Sequence, residues 1–318
     1  GAFMAVKELA LSALNDTTGR SAMQEANHLA RLNHPNIVRY YGATVDAENM
    51  KLSIFLEYVG GGSLADLLQQ IGKLPEQLAQ PYMFQLVLGV EYLHEQNTIH
   101  RDVKPANVLL TQGGEVKIAD FGTAHAFQKT NATADMELTM KGTPAYMAPE
   151  VLQPNVAVGR PSDIWSLGCT FLHLVTGCVP WSEHKFSHSL GLLYLIASEP
   201  QAVPLWDKSQ RSRELDHLMT AMLSREPDLR PTAAQLRLHP WFSADLSSRT
   251  MTDVSSGLHS SAGTKATMET VSMAASSLVS RTYADSEAHT LDRALMPDAY
   301  LPMQAIRPPG AQSASPLP

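Results

Sequence analysis

Two stretches, IHRDVKPANVLL (99–110) and VKIADFG (116–122), set polar and charged side chains between short apolar runs. Asp102, Lys104 and Asn107 fall within six positions and lead into the apolar VLL. A Gly113–Gly114 turn then sends the chain back as VKIA, ending at Asp120. Two strands joined this way form a hairpin that returns Asp120 to the side of Asn107. A carboxylate and an amide oxygen are hard donors suited to Mg2+, which keeps waters and bridges phosphate oxygens. Asp102 is then left to accept a hydroxyl proton, and Lys104 to neutralise charge on a transferring phosphoryl group.

Three textures surround this segment. Residues 1–60 alternate in strand fashion around one helical pattern, SAMQEANHLARL (21–32), with VRYYGATV (38–45) and LSIFLEYV (52–59) as strands. Residues 61–242 carry mostly helical patterns, such as LADLLQQ (64–70), PYMFQLVLGVEYLHEQ (81–96) and SDIWSLGCTFLHLVTG (162–177). From residue 243 onward Ser, Thr and Ala dominate and the end is RPPGAQSASPLP, a composition that buries too little apolar surface to offset its ordering entropy. EAHTLDRAL (287–295) is a short helical pattern within it.

The totals narrow the class. In 318 residues there is room for a sizeable core, and 44% hydrophobic content fits a globular chain. A formal charge of -7 offers no general attraction to nucleic acid or anionic lipid. The two cysteines, Cys169 and Cys178, have no metal-ligand or C-x-x-C spacing and suit a reducing compartment. No apolar run reaches the roughly 18–20 residues of a membrane span; SLGLLYLIAS (189–198) is the longest tempting one. A cytoplasmic protein is the expectation.

HRD-x-K-x-x-N, then DFG starting thirteen residues after the Asn, then GTPAYMAPE (142–150), resembles the eukaryotic protein kinases. The resemblance covers residues 1–242 and implies an α+β, bilobal kinase fold. Its parts are a small lobe over 1–56, a hinge over 57–62 and a mainly helical large lobe over 63–242, followed by a disordered tail over 243–318. It implies ATP and Mg2+ as cofactors and protein substrates, with no nucleic-acid or membrane partner; oligomeric state is left open.

Residue by residue, the resemblance makes Asp102 the catalytic base, Lys104 its electrostatic partner, and Asn107 and Asp120 the metal ligands. Lys7, in AVK, takes the place of the lysine that grips the α- and β-phosphates; without the other matches, an edge-strand lysine keeping its head in water is the favoured reading. Glu25, on the stripe of Leu29 and Leu32, is its candidate partner, with a surface pair to Arg20 or Arg31 the alternative. LEYVGGGS (56–63) matches the hinge. Backbone groups of Glu57 and Val59 then meet adenine, Leu56 guards the back pocket, and Ala5 and Leu109 sandwich the ring. Ser63 stands where many relatives carry a carboxylate for the ribose. Asp163 is expected to accept backbone N–H bonds from the catalytic loop, and Glu150 to pair with Arg230. Leu29, Tyr40, His100 and Phe121 form a spine between the lobes.

Lys104 and Thr143 match the serine/threonine class, and HPNIVRYYG and GTPAYMAPEV look most like MAP kinase kinase kinases, which makes other kinases the expected substrates. Thr139 is the expected activating phosphosite, docking on Arg101, with Thr130 and Thr133 as runners-up. His125 stands where many kinases have Lys or Arg. The first two strands and the G-x-G-x-x-G lid that the family places before Lys7 are not in this sequence. The expectation is therefore an amino-terminally truncated fragment with impaired ATP binding and an unpaired sheet edge. A pseudokinase, or a scaffold or binding fragment without catalysis, is the alternative.

Overall fold

The structure, a computed structural model, describes residues 3–10, 29–46, 49, 51–120, 125–126, 144–153, 156, 158–186, 188–243 and 304–306. Its sheet strands are β1 (Met4–Ala10), β2 (Tyr40–Asp46) and β3 (Lys51–Glu57), the last two carrying the aromatic and β-branched residues that favour strands. The central β3 is antiparallel to both neighbours, so Leu56 faces Ala5 on one side and Tyr40 on the other. All three of these side chains are buried.

The chain leaves the sheet through Tyr58–Gly62 and enters α1 (Leu64–Ile71). Ser63 caps that helix: its Oγ accepts from Asp66 N at 3.1 Å while Asp66 Oδ2 accepts from Ser63 N at 2.8 Å, a reciprocal capping box. Gly61 is required here because its N–H bonds Leu110 O at 2.9 Å, and a Cβ would lie 2.3 Å from that oxygen.

The long α2 (Glu76–Glu95) buries Ala79, Met83, Leu86, Val87, Val90 and Leu93, an apolar stripe at helical spacing. After β4 (Thr98–Ile99) come β5 (Val108–Leu110) and β6 (Val116–Ile118), which form the hairpin read from the sequence; β7 (His125–Ala126) pairs with β4. Gly89 of α2 lets the hairpin approach, since a Cβ there would meet Ile118 Cδ1 at 2.8 Å and Asn36 O at 3.1 Å. α3 (Arg160–Thr176) is buried on nearly every face, as a helix with apolar residues all round must be. Around it lie α4 (Ser189–Ser198), α5 (Arg213–Met222), α6 (Ala233–Arg237) and α7 (Pro240–Ser243).

Two backbone bonds tie the sheet side to the helical side: Val38 N to Ile118 O at 2.9 Å and Ile118 N to Asn36 O at 2.8 Å. One expectation is corrected. The outer edge of β1 is not bare over Met4–Val6, because β8 (Gln304–Ile306) pairs antiparallel there, with Met4 opposite Ile306. Unpaired strand N–H and C=O groups accept any extended segment, and this chain supplies one. Glu25, Arg20, Phe121, Thr130, Thr133, Thr139, Thr143, the His125 side chain and the 287–295 pattern lie outside the described residues. Of the expected helix over 21–32, only 29–32 are described, and Leu29 and Leu32 are buried.

Candidate active site

The segment between β4 and β5 is held by one carboxylate. Asp163, in the first turn of α3, is wholly buried and accepts from His100 N at 2.9 Å and Arg101 N at 2.8 Å. His94, from the end of α2, adds Nε2 at 2.9 Å. Burial alone would push the Asp163 carboxyl up. The hydrogen bond and charge of His94, with the His100 backbone N–H, outweigh it and hold the group below the usual carboxylate range. Arg101, directly after, has φ +68°, a left-handed conformation costing a non-glycine residue about 1–3 kcal/mol, and Asp163 is what restrains it.

His100 passes this order on. Its Nδ1 accepts from Asp102 N at 3.3 Å, which leaves the proton on Nε2 to donate to Ala119 O at 3.0 Å. The buried imidazole thus links the loop before Asp102 to the residue before Asp120. Thr170 of α3 supports the same loop by donating to Val103 O at 3.3 Å.

Asp102 gathers the polar groups. Lys104 Nζ donates to its Oδ2 at 2.7 Å, and Asn107 Nδ2 donates to the same oxygen at 2.8 Å and to Asp102 O at 2.8 Å. With its nitrogen so engaged, the Asn107 amide presents its oxygen as the remaining donor atom. Ala119 N bonds Asn107 O at 2.8 Å, so Asp120 emerges next to Asn107, with φ +60° turning it out of the β6 direction. Asp120 is 43% exposed at its side chain and pairs with Lys7 Nζ across the two sides of the molecule. An amide oxygen and a carboxylate here form a hard-oxygen set that fits Mg2+. Among the described residues no group of three or more His, Cys, Asp and Glu stands together as a metal site.

Ala5, Leu56 and Leu109 are all buried, with Leu56 opposite Ala5 on one side and Tyr40 on the other. Val59 packs partly buried against the core. The Glu57 carboxylate is taken by Lys117 Nζ at 3.0 Å and Arg39 N at 3.1 Å, and its own N–H donates to Arg39 O at 2.8 Å, so neither group is open to a ligand. Ser63 is consumed as the α1 cap.

Further away, Arg230 reaches Glu150 through two bonds, Nη1 to Oε1 at 2.7 Å and Nη2 to Oε2 at 2.8 Å, with both side chains buried. Ser162 Oγ adds a third bond to Glu150 at 2.8 Å. His94, Ser162 and Lys117 were not singled out from the sequence. A histidine in the last turn of a helix ahead of HRD was the one available signal for His94.

A family profile described as "Protein kinase domain" matches residues 1–242. "Mitogen-activated protein kinase kinase kinase 3" of Arabidopsis thaliana is 39% identical over 245 residues, covering 76% of this chain and 38% of that protein. "Mitogen-activated protein kinase kinase kinase YODA" of the same plant is 41% identical over 243 residues, covering 75% and 26%. "MAP kinase kinase kinase wis4" of Schizosaccharomyces pombe is 38% identical over 255 residues, covering 76% and 18%. The chain therefore spans well under half the length of each of these relatives.

Proposed function

As the chain belongs to the protein kinase family, in its serine/threonine MAP kinase kinase kinase group, we propose that it transfers the γ-phosphoryl group of ATP to a Ser or Thr hydroxyl of a protein. The observation that carries this is the Asp102 carboxylate held by Lys104 and Asn107, with Asp120 and Lys7 alongside. The hydroxyl proton passes to Asp102 as the oxygen bonds phosphorus, and ADP leaves with the bridging electron pair. Lys104 offsets the charge that develops on the moving phosphoryl oxygens.

Proteins of this family use ATP and Mg2+. We assign Mg2+ to Asn107 and Asp120, where it supplies neutralisation of phosphate charge. Lys7 would hold the α- and β-phosphates, while Ala5, Leu109 and Leu56, with the backbone of Glu57 and Val59, would receive the adenine. Arg101 is assigned to a phosphorylated Thr139, and Thr143 to the hydroxyl-binding side of the loop. Asp163 and the Glu150–Arg230 pair hold these parts in place. The substrates are proposed to be kinases that act next in a MAP kinase cascade, as the relatives' names suggest. Two free cysteines support a cytoplasmic setting.

Labelled-phosphate transfer from ATP to a generic Ser/Thr protein substrate tests the proposal. Asp102→Asn preserves size and most of the hydrogen bonding, and is expected to abolish transfer while leaving the thermal unfolding profile folded. Undiminished transfer by Asp102→Asn refutes the assignment.

A further inference from the structure

A cleft of about 670 Å³ opens on the helical side, and none of the residues assigned to phosphoryl transfer lines it. Its walls come from the α4 end, the turn carrying Glu150, the start of α3 and the segment Arg225–Asp228. Pro149, Pro161, Pro200 and Pro227 supply rigid apolar surface, and Val156 at the edge is 41% exposed.

The charges on this wall are unevenly used. Glu150 is satisfied by Arg230 and Ser162. Arg225 spends Nη1 on Ala202 O at 2.8 Å and Nη2 on Ile196 O at 2.7 Å, which anchors α4 and the turn after it. Glu226 and Asp228 are exposed, and among the described residues neither carboxylate has an ion-pair partner. Three carboxylates stand against the two guanidiniums of Arg225 and Arg230, so the cleft keeps one net negative charge at its acidic mouth.

We propose that this cleft is a docking site for a segment of the protein substrate that carries arginine or lysine between apolar residues. Proline walls offer no N–H donors, so an apolar flank suits them, while a cation compensates Glu226 and Asp228. The α4 wall of the cleft also packs against both the Pro144–Tyr146 and the Pro149–Leu152 turns, which run on from the GTP of GTPAYMAPE in the sequence. Contact there adds binding energy remote from the reacting atoms. The identity of the occupant rests on the kinase assignment; the preference for a basic, apolar-flanked segment does not.

The test has two arms. In the first, 15N-labelled protein is titrated with an acetylated octapeptide alternating Pro-Val and Arg, and with a copy carrying Glu for Arg. The expected result is shifted amides at Gln153, Ala197 and Ser198 with the arginine peptide alone, abolished in Glu226→Gln/Asp228→Asn. In the second arm, the arginine segment is joined by a flexible linker to a generic phosphoacceptor peptide. Each exposed charge contact is worth about fivefold at most, so the contacts to Glu226 and Asp228 are expected to lower KM by about fivefold, and by no more than about twenty-fivefold, relative to the unjoined peptide. That ratio falls to one in the double variant. Shifts confined to other residues, equal binding of the glutamate copy, or a KM gain that survives in the double variant overturns the docking site. No transfer to either peptide by the wild type defeats the kinase assignment instead, and the first arm still decides the cleft.

Discussion

At the scale of single residues, Asp163 is the group on which the loop depends, and its chemistry makes a pH signature. Its carboxyl is held below the usual range in the folded chain, after His94 and His100 outweigh the burial that would raise it. A carboxyl with a depressed folded pKa contributes stability above its unfolded value of about 3.9, and the contribution is lost as pH falls through the folded value. The difference in Tm between wild type and Asp163→Asn is therefore expected to be largest at neutral pH and to shrink below about pH 4. A separate loss begins higher. Burial lowers the pKa of His173, His34 and His239, so the unfolded chain takes up protons first as pH falls below about 6.5. A Tm against pH curve should thus slope downward from about pH 6.5 toward acid; a flat curve to pH 4.5 contradicts those burial effects. Glu150 and Arg230 make the second residue-scale case. Arg230→Ala strands a buried carboxylate and is expected to cost about 3–5 kcal/mol in urea unfolding.

At the scale of elements, the hairpin of β5 and β6 is where sequence and structure agree most closely, and the reason is local. Apolar VLL and VKI around a Gly-Gly turn have few other ways to pair, and the pairing carries Asn107 and Asp120 with it. What stayed hidden depends on distant partners. Nothing near Lys117 in the sequence announces that it will hold Glu57, nor near Ser63 that capping α1 removes it from a ligand. The strand at 304–306 was equally illegible, since a three-residue pairing across nearly the whole chain leaves no local pattern. It makes a checkable claim: Met4→Cys/Ile306→Cys should form an intrachain disulfide on mild oxidation, and only intermolecular crosslinks would mean the pairing is not made within one chain. The approach of α2 to the hairpin gives another. Alanine at Gly89 would gain about 1 kcal/mol of helix propensity, but any Cβ there overlaps Ile118 and crowds the Asn36 carbonyl. Gly89→Val, with two further methyl groups and poorer propensity, is expected to destabilise by about 1–3 kcal/mol.

At the scale of the whole molecule, contacts between the two sides among the described residues include the Gly61–Gly62 backbone bonds to Leu110, the Asn36–Val38 bonds to Ile118, and the ion pairs of Lys117 with Glu57 and of Lys7 with Asp120. Lys7 and Asp120 are both part-exposed, so the pair by itself adds little to stability, in the range of about 0–1 kcal/mol. On the proposed assignment, a nucleotide with Mg2+ would change that balance, because its phosphates and the ion would engage both residues at once and bind only the folded chain. At a hundred times Kd, such a ligand stabilises by about 2.7 kcal/mol, or roughly 5–11 °C at about 2–4 °C per kcal/mol for a domain of this size. ATP with Mg2+ is expected to raise Tm on that scale, and ATP with a chelator much less. Asp120→Asn should lose most of the Mg2+-dependent increment while retaining its unliganded Tm, since the pair it removes contributes little. An increment that is the same with and without Mg2+, or untouched by Asp120→Asn, would place the nucleotide somewhere other than between Lys7 and the β5–β6 hairpin.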